Sequence, residues 1–155
     1  MQTIESNDRA GHRLIQLGII LFLAGLLTGF VIPLMANPRV GLSSHLEGVM
    51  NGLLLVALGV IWPRLTLGRG TRRLAFGLAV FGTVANWLGT LLAGIWGTGA
   101  MMPIAAAGQQ GSSVQELIVS VLLMALSFAM VAAIALVIWG LRRARDAGAV
   151  LASNA

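Results

Sequence analysis

The chain reads as four long apolar runs separated by short polar breaks. The first extends from Leu14 to Met35 and the second from about Leu42 to Trp62. The third spans about Leu74 to Trp96 and the fourth about Leu117 to Gly140. Each has the roughly 20 apolar residues that a helix needs to cross the hydrocarbon core of a bilayer. Strands of a membrane barrel would alternate apolar and polar positions over about ten residues. These runs are continuously apolar and too long for that, so helices are predicted. The first run also exceeds the roughly 7–15 residues of a signal-peptide core, and is expected to remain as a helix. The predicted fold class is all-α, an integral membrane four-helix bundle. It forms a single membrane domain over residues 1–155, with helices at about 14–35, 42–62, 74–96 and 117–140 and short tails at 1–11 and 144–155.

Composition sharpens this picture. Of the 155 residues 57% are hydrophobic and only 10% charged, where a soluble domain has about a quarter charged. The absence of cysteine excludes disulfides, thiolate ligation of haem and iron–sulfur clusters. All ten basic residues are arginines, and their placement is lopsided. If four helices span, Arg9, Arg13, Arg64, Arg69, Arg72, Arg73, Arg142, Arg143 and Arg145 fall on one side and Arg39 alone on the other. The positive-inside rule then puts both termini in the cytoplasm, as in a bacterial inner membrane. The basic loop GRGTRRL is read as an orientation determinant against anionic lipid, not as a nucleic-acid site.

Polar groups inside a membrane segment are costly and are candidate functional groups for that reason. They concentrate in SSHLEGVMNG, at the start of the second run. Ser44-x-x-Glu47 has capping-box spacing, which would start the helix at His45 and make Glu47 structural. The alternative is an intramembrane carboxylate. His45 is followed at i+3 and i+7 by Gly48 and Gly52. That small stripe either lets a flat group approach or serves close helix packing. Asn51 shares a helix face with Glu47. On the third run Thr83, Asn86 and Thr90 form one stripe, and Gly82, Asn86, Gly89 and Ala93 a second. The asparagines are either catalytic or interhelical glue. Trp62 and Trp139 occupy belt positions at helix ends, and Trp87 is placed to wall a pocket. The uncharged stretch 97–115 is a lid or a linker. Walker and dinucleotide motifs are absent. His12 and His45 should lie near opposite membrane faces, so they do not make a two-histidine haem site.

Two stretches carry a family resemblance, PLMANPRVGLSSHLEGVMNGLLLVALGVIWPRL and FGTVANWLGTLLAGIWGTGAMMPIAA. They resemble the hydroxylaminobenzene mutases, small membrane enzymes of nitroaromatic degradation that form 2-aminophenol, and the related styrene oxide isomerases. The resemblance covers about Gly11 to Arg143. It implies a homotrimer with haem b between subunits. The motif of a histidine followed six residues later by Asn-Gly falls on His45 and Asn51-Gly52. His45 would then be the axial iron ligand, Gly48 and Gly52 would make room for the porphyrin, and Asn51 would face the substrate. A second family pattern, an asparagine followed four residues later by a catalytic tyrosine, falls on Asn86 and Thr90. The chain has no tyrosine, and this departure points away from styrene oxide as substrate. The implied activity is rearrangement of arylhydroxylamines to 2-aminophenols, with haem iron as Lewis acid and Glu47, Asn51, Asn86 and Thr90 as candidate catalytic groups. The competing readings are a styrene-oxide-type epoxide isomerase and a non-enzymatic channel or anchor subunit.

Overall fold

A computed structural model describes the backbone of residues 2–153 and the side chains of residues 9–144. Five helices follow in order: α1 (Gln2–Val31), α2 (Pro38–Ile61), α3 (Arg69–Trp96), the single turn α4 (Pro103–Ala106) and α5 (Ser113–Ser153). Short 3-10 turns close α1 and α2. Among the described residues there is no strand. Segments of α1, α2, α3 and α5 are each long and apolar enough to cross a membrane. The predicted all-helical membrane fold is therefore present, with every helix longer than its apolar run. The extra length lies at the starts of α1, α2 and α3, which begin before their apolar runs, and at both ends of α5, where hydropathy carries no signal. Residues 1, 154 and 155 of the expected tails lie outside the described residues, as does the side chain of Arg145.

The helices form a row more than a closed bundle. α1 packs on α2, α2 on α3 and α3 on α5, and the outer pair, α1 and α5, share no packed interface among the described residues. The core fits this arrangement. Leu14, Leu55, Trp62, Ala75, Ala79 and Ala133 are fully buried where neighbouring helices meet. Large side chains such as Phe30, Phe128 and Val131 are 82%, 72% and 72% exposed, as expected of surfaces facing lipid.

Glycines set the spacing of α1 and α2. Gly11, Gly18 and Gly25 recur every seven residues along α1 and meet Gly59, Gly52 and Gly48 of α2 in turn. A Cβ on Gly18 would lie 2.6 Å from the Gly52 carbonyl oxygen, and one on Gly52 would lie 2.6 Å from the Phe22 backbone nitrogen. A Cβ on Gly48 would run into the Gly25 Cα. Backbone cannot yield as a side chain can. Lipid tails are as apolar as leucine, so such close approach, with its dispersion contacts, is the main source of helix association.

Polar ties hold the ends. The Asn37 side-chain oxygen caps α2 by accepting from the Arg39 and Val40 N–H groups, and Pro38 follows at the first helical position. The Asn37 amide donates to the Ala105 and Ala106 carbonyls, and Gln109 donates to the Ala36 carbonyl. The Glu116 carboxylate accepts from the Gly99, Ala100 and Gly111 N–H groups at 2.9–3.0 Å. The segment between α3 and α5 is thus tied down over the ends of α2 and α3. At the opposite end Trp62 is fully buried against Phe76, with ring centroids 6.1 Å apart. Trp62 does stand at the end of α2 as expected, but its ring is packed inside the protein and does not face the headgroups as a belt residue would. Trp139 does lie at the surface, with Arg143 above its ring at 4.7 Å.

The glycine contact makes a direct prediction. Gly48→Ala should lower the thermal midpoint of the detergent-solubilised protein through overpacking of about 1–3 kcal/mol. Gly77→Ala, where a Cβ meets nothing within 4 Å, should be neutral or stabilising, since alanine is the better helix former.

Candidate functional site

The cap on Asn37 places Ser44, His45 and Glu47 well inside α2, about 10 Å along the helix from Pro38. The expected capping box is therefore corrected. The helix starts seven residues earlier than His45, and Ser44 and Glu47 bond to other partners. The Ser44 hydroxyl donates to the Trp87 carbonyl at 3.2 Å.

Glu47 is the centre of a polar knot between α2 and α3. Its Oε2 accepts from Asn51 Nδ2 at 3.0 Å and from Asn86 Nδ2 at 2.6 Å. One bond is the i, i+4 pair within α2, and the other crosses to α3. Both amides are oriented by donating to the carboxylate, which leaves their carbonyl oxygens to receive an N–H or O–H. Glu47 Oε1 has no partner among the described residues. Such a group can bind a small polar molecule in an apolar setting and carry a proton for it. Thr90 stands apart from this chemistry. It is buried, and its hydroxyl donates to the Asn86 and Trp87 carbonyls of its own helix at 2.9 and 3.0 Å.

His45 faces the other way, toward α1. Its Nδ1 lies 2.8 Å from the Gly25 carbonyl oxygen, and its ring covers Gly29, where a Cβ would be 3.1 Å from Nδ1. The carbonyl accepts only if Nδ1 carries the proton, so in the neutral ring Nε2 keeps its lone pair. Nε2 has no partner among the described residues, and the residue is only partly buried. An imidazole fixed at one nitrogen by a carbonyl and open at the other meets the requirement for a metal ligand. No cluster of three or more histidine or acidic residues that would hold a bare ion occurs among the described residues. One histidine with an open Nε2 suits the single protein ligand of a haem iron.

Gly48 and Gly52 do not serve the role expected beside a porphyrin. The space over both is filled by the α1 backbone around Gly25 and Gly18. They act through packing, and the close approach they permit brings the Gly25 carbonyl within reach of His45. Trp87 likewise clamps helices. Its Nε1 donates to the Thr28 hydroxyl at 3.1 Å and its ring edge lies against Gly48. On α3, Gly82 receives Met130, and Gly89 receives Leu122 and Leu123, all from α5. Thr28, Gly25 and Gly29 were not singled out from the sequence. The seven-residue spacing of Gly11, Gly18 and Gly25 was the available signal, and it identifies the α1 face that meets α2.

A single chain therefore brings Glu47, Asn51 and Asn86 together and sets His45 on a different side of α2. Four membrane-capable helices, a histidine inside the apolar part of α2 and an amide–carboxylate knot between α2 and α3 define a small helical membrane protein with a polar site in its apolar part. The family model described as styrene oxide isomerase matches residues 10–142, and the chain belongs to that family. Among its relatives is the hydroxylaminobenzene mutase HabB of Ectopseudomonas oleovorans, 59% identical over 145 residues, or 93% of this chain and 88% of the relative. The mutase HabA of the same organism is 43% identical over 127 residues, 81% of this chain and 94% of the relative. No solved structure shows significant similarity to the chain.

The knot predicts coupled energetics. Glu47→Ala strips two intramembrane amides of their acceptor and should cost about 1–3 kcal/mol. The double variant Glu47→Ala/Asn86→Ala should cost less than the sum of the two single variants, by about 0.5–3 kcal/mol. Thermal denaturation of the four proteins in one detergent measures both.

Proposed function

We propose that the protein isomerises hydroxylaminobenzene-type arylhydroxylamines to 2-aminophenols. Similarity to the two mutases over most of the chain carries this reading. The geometry adds groups suited to the chemistry. The product is an isomer of the substrate, so no nicotinamide or flavin is consumed. The N–O bond breaks, a C–O bond forms at the ortho carbon, the ortho proton leaves and the nitrogen gains a proton.

The chain's own residues have distinct roles in this scheme. The free Asn51 and Asn86 carbonyl oxygens accept from the N–H and O–H of the substrate and orient it. Glu47 Oε1 accepts the ortho proton as the ring regains aromaticity, and a carboxyl there can return a proton to nitrogen. The apolar walls of the helices keep bulk water from competing for the activated ring. Thr90 supports Asn86 from the same helix. The chain's residues fit a haem b held through His45 Nε2, and its iron would supply Lewis-acid pull on the hydroxylamine oxygen. His45 faces the α1 side of α2 and the knot faces the α3 side, which favours a site completed across a subunit boundary. Resemblance to trimeric isomerases supports a homotrimer. The arginine asymmetry supports cytoplasmic termini in a bacterial inner membrane.

Epoxide isomerisation is the second reading, favoured by the family model that the chain matches. The chain has no tyrosine, and the Thr90 hydroxyl is engaged by backbone carbonyls. Both features favour the hydroxylamine. A channel is disfavoured, because the polar stripe of α3 is buried against α2 and α5.

Membranes containing this protein alone should convert hydroxylaminobenzene to 2-aminophenol without added nicotinamide, and should leave styrene oxide largely unchanged. Asn51→Ala should lower turnover by about 10²–10³-fold, the range for loss of one preorganised hydrogen-bonding group. Product analysis by liquid chromatography measures both. Absence of conversion in well-expressed, folded protein would remove the mutase reading, and preferential turnover of styrene oxide would replace it with the second.

A further inference from the structure

One cavity lies away from His45 and the Glu47 knot, at the end of the helices where α1 and α3 begin. It encloses about 670 Å³ and is lined by Arg9 and Arg13 from α1 and by Arg69, Arg72 and Arg73 from α3. Its apolar wall is Trp62 and Phe76. No carboxylate is among its described lining residues.

We propose that this cleft binds the phosphoryl group of an anionic ligand, either a lipid headgroup or free phosphate. Three observations converge on that chemistry. The guanidinium groups of Arg13, Arg69, Arg72 and Arg73, from two helices, line one space, where mutual repulsion falls when an anion enters. The planar fork of arginine matches phosphate oxygens in a two-pronged arrangement. Second, Gly68 at the N-cap of α3 provides no side-chain cap. The first-turn N–H groups and the positive end of a 28-residue helix therefore add to the field on the same side. Third, two lining residues carry buried donors without an acceptor. Trp62 is fully buried and its Nε1 is unpartnered, and Arg72 Nε is unpartnered while its Nη2 donates to the Leu65 carbonyl at 2.7 Å. Buried donors of this kind are rare unless an unseen acceptor completes them.

The cleft also lies at the first turns of the membrane-capable segments of α1 and α3, Arg9–Leu34 and Arg69–Trp96. The T-shaped Trp62–Phe76 pair gives it an apolar side next to the guanidinium groups. A phosphoryl group at the guanidinium groups and a glycerol backbone at the apolar side would match that arrangement. Arg64, Arg142 and Arg143 are not among the lining residues, so they separate a built site from diffuse surface charge.

The test uses the full chain in nanodiscs. Wild type is compared with Arg13→Gln/Arg69→Gln/Arg73→Gln and with a charge-matched control, Arg64→Gln/Arg142→Gln/Arg143→Gln. Arg72 is spared because it holds the Leu65 carbonyl. One arm measures retention of phosphatidylglycerol against phosphatidylcholine by native mass spectrometry. The other measures thermal stabilisation by inorganic phosphate in neutral-lipid discs. Wild type and control should bind one of these probes about a hundredfold more tightly than the cleft variant. The arm that shows this difference identifies the source of the phosphoryl group. Equal binding by wild type and cleft variant, or an equal loss in the control, would overturn the proposal.

Discussion

The close approach of α1 and α2 through paired glycines is the constraint on which the rest depends. Gly25 against Gly48 and Gly18 against Gly52 bring two backbones within a distance that any side chain would block. Three consequences follow in the same region. The Gly25 carbonyl comes within 2.8 Å of His45 Nδ1, the His45 ring lies over Gly29, and Trp87 reaches past Gly48 to Thr28. Packing therefore fixes the tautomer and direction of the only histidine placed within the apolar part of a helix. Wider spacing would leave that ring free to turn, and α1 would lose its polar link to α3.

Much of the architecture was legible in the sequence because a bilayer allows few solutions. Continuous apolar length identifies four helices almost without regard to detail. Helix starts were less legible. Ser44-x-x-Glu47 has the spacing of a capping box, yet Asn37-Pro38 is the cap. Both are valid local signals, and the choice between them depends on Asn86, which offers Glu47 a partner from another helix. Trp62 differs from a belt residue for a similar reason, since its partner Phe76 comes from another helix and covers its ring.

The candidate site was legible by residue type and less so by arrangement. His45, Glu47, Asn51 and Asn86 were recognisable as polar groups out of place in lipid. That Glu47 gathers both asparagines while His45 turns to α1 depends on which helix lies on each side of α2, and a linear pattern does not encode that. Gly48 and Gly52 illustrate the limit. A small stripe admits a flat ligand or a helix equally well, and here α1 takes the space.

The functional account joins these two faces of α2. One face presents an imidazole with a fixed proton and an open Nε2, and the other a carboxylate bridging two amides. Its central claim is that packing preorganises His45 as the single protein ligand of a haem. The most direct measurement is the absorption spectrum of the purified protein, before and after dithionite, beside that of His45→Ala. The account predicts a Soret band that shifts on reduction in the wild type and is lost in the variant. A wild type expressed with ample haem that shows no Soret band, or a variant that keeps an unchanged one, would contradict it.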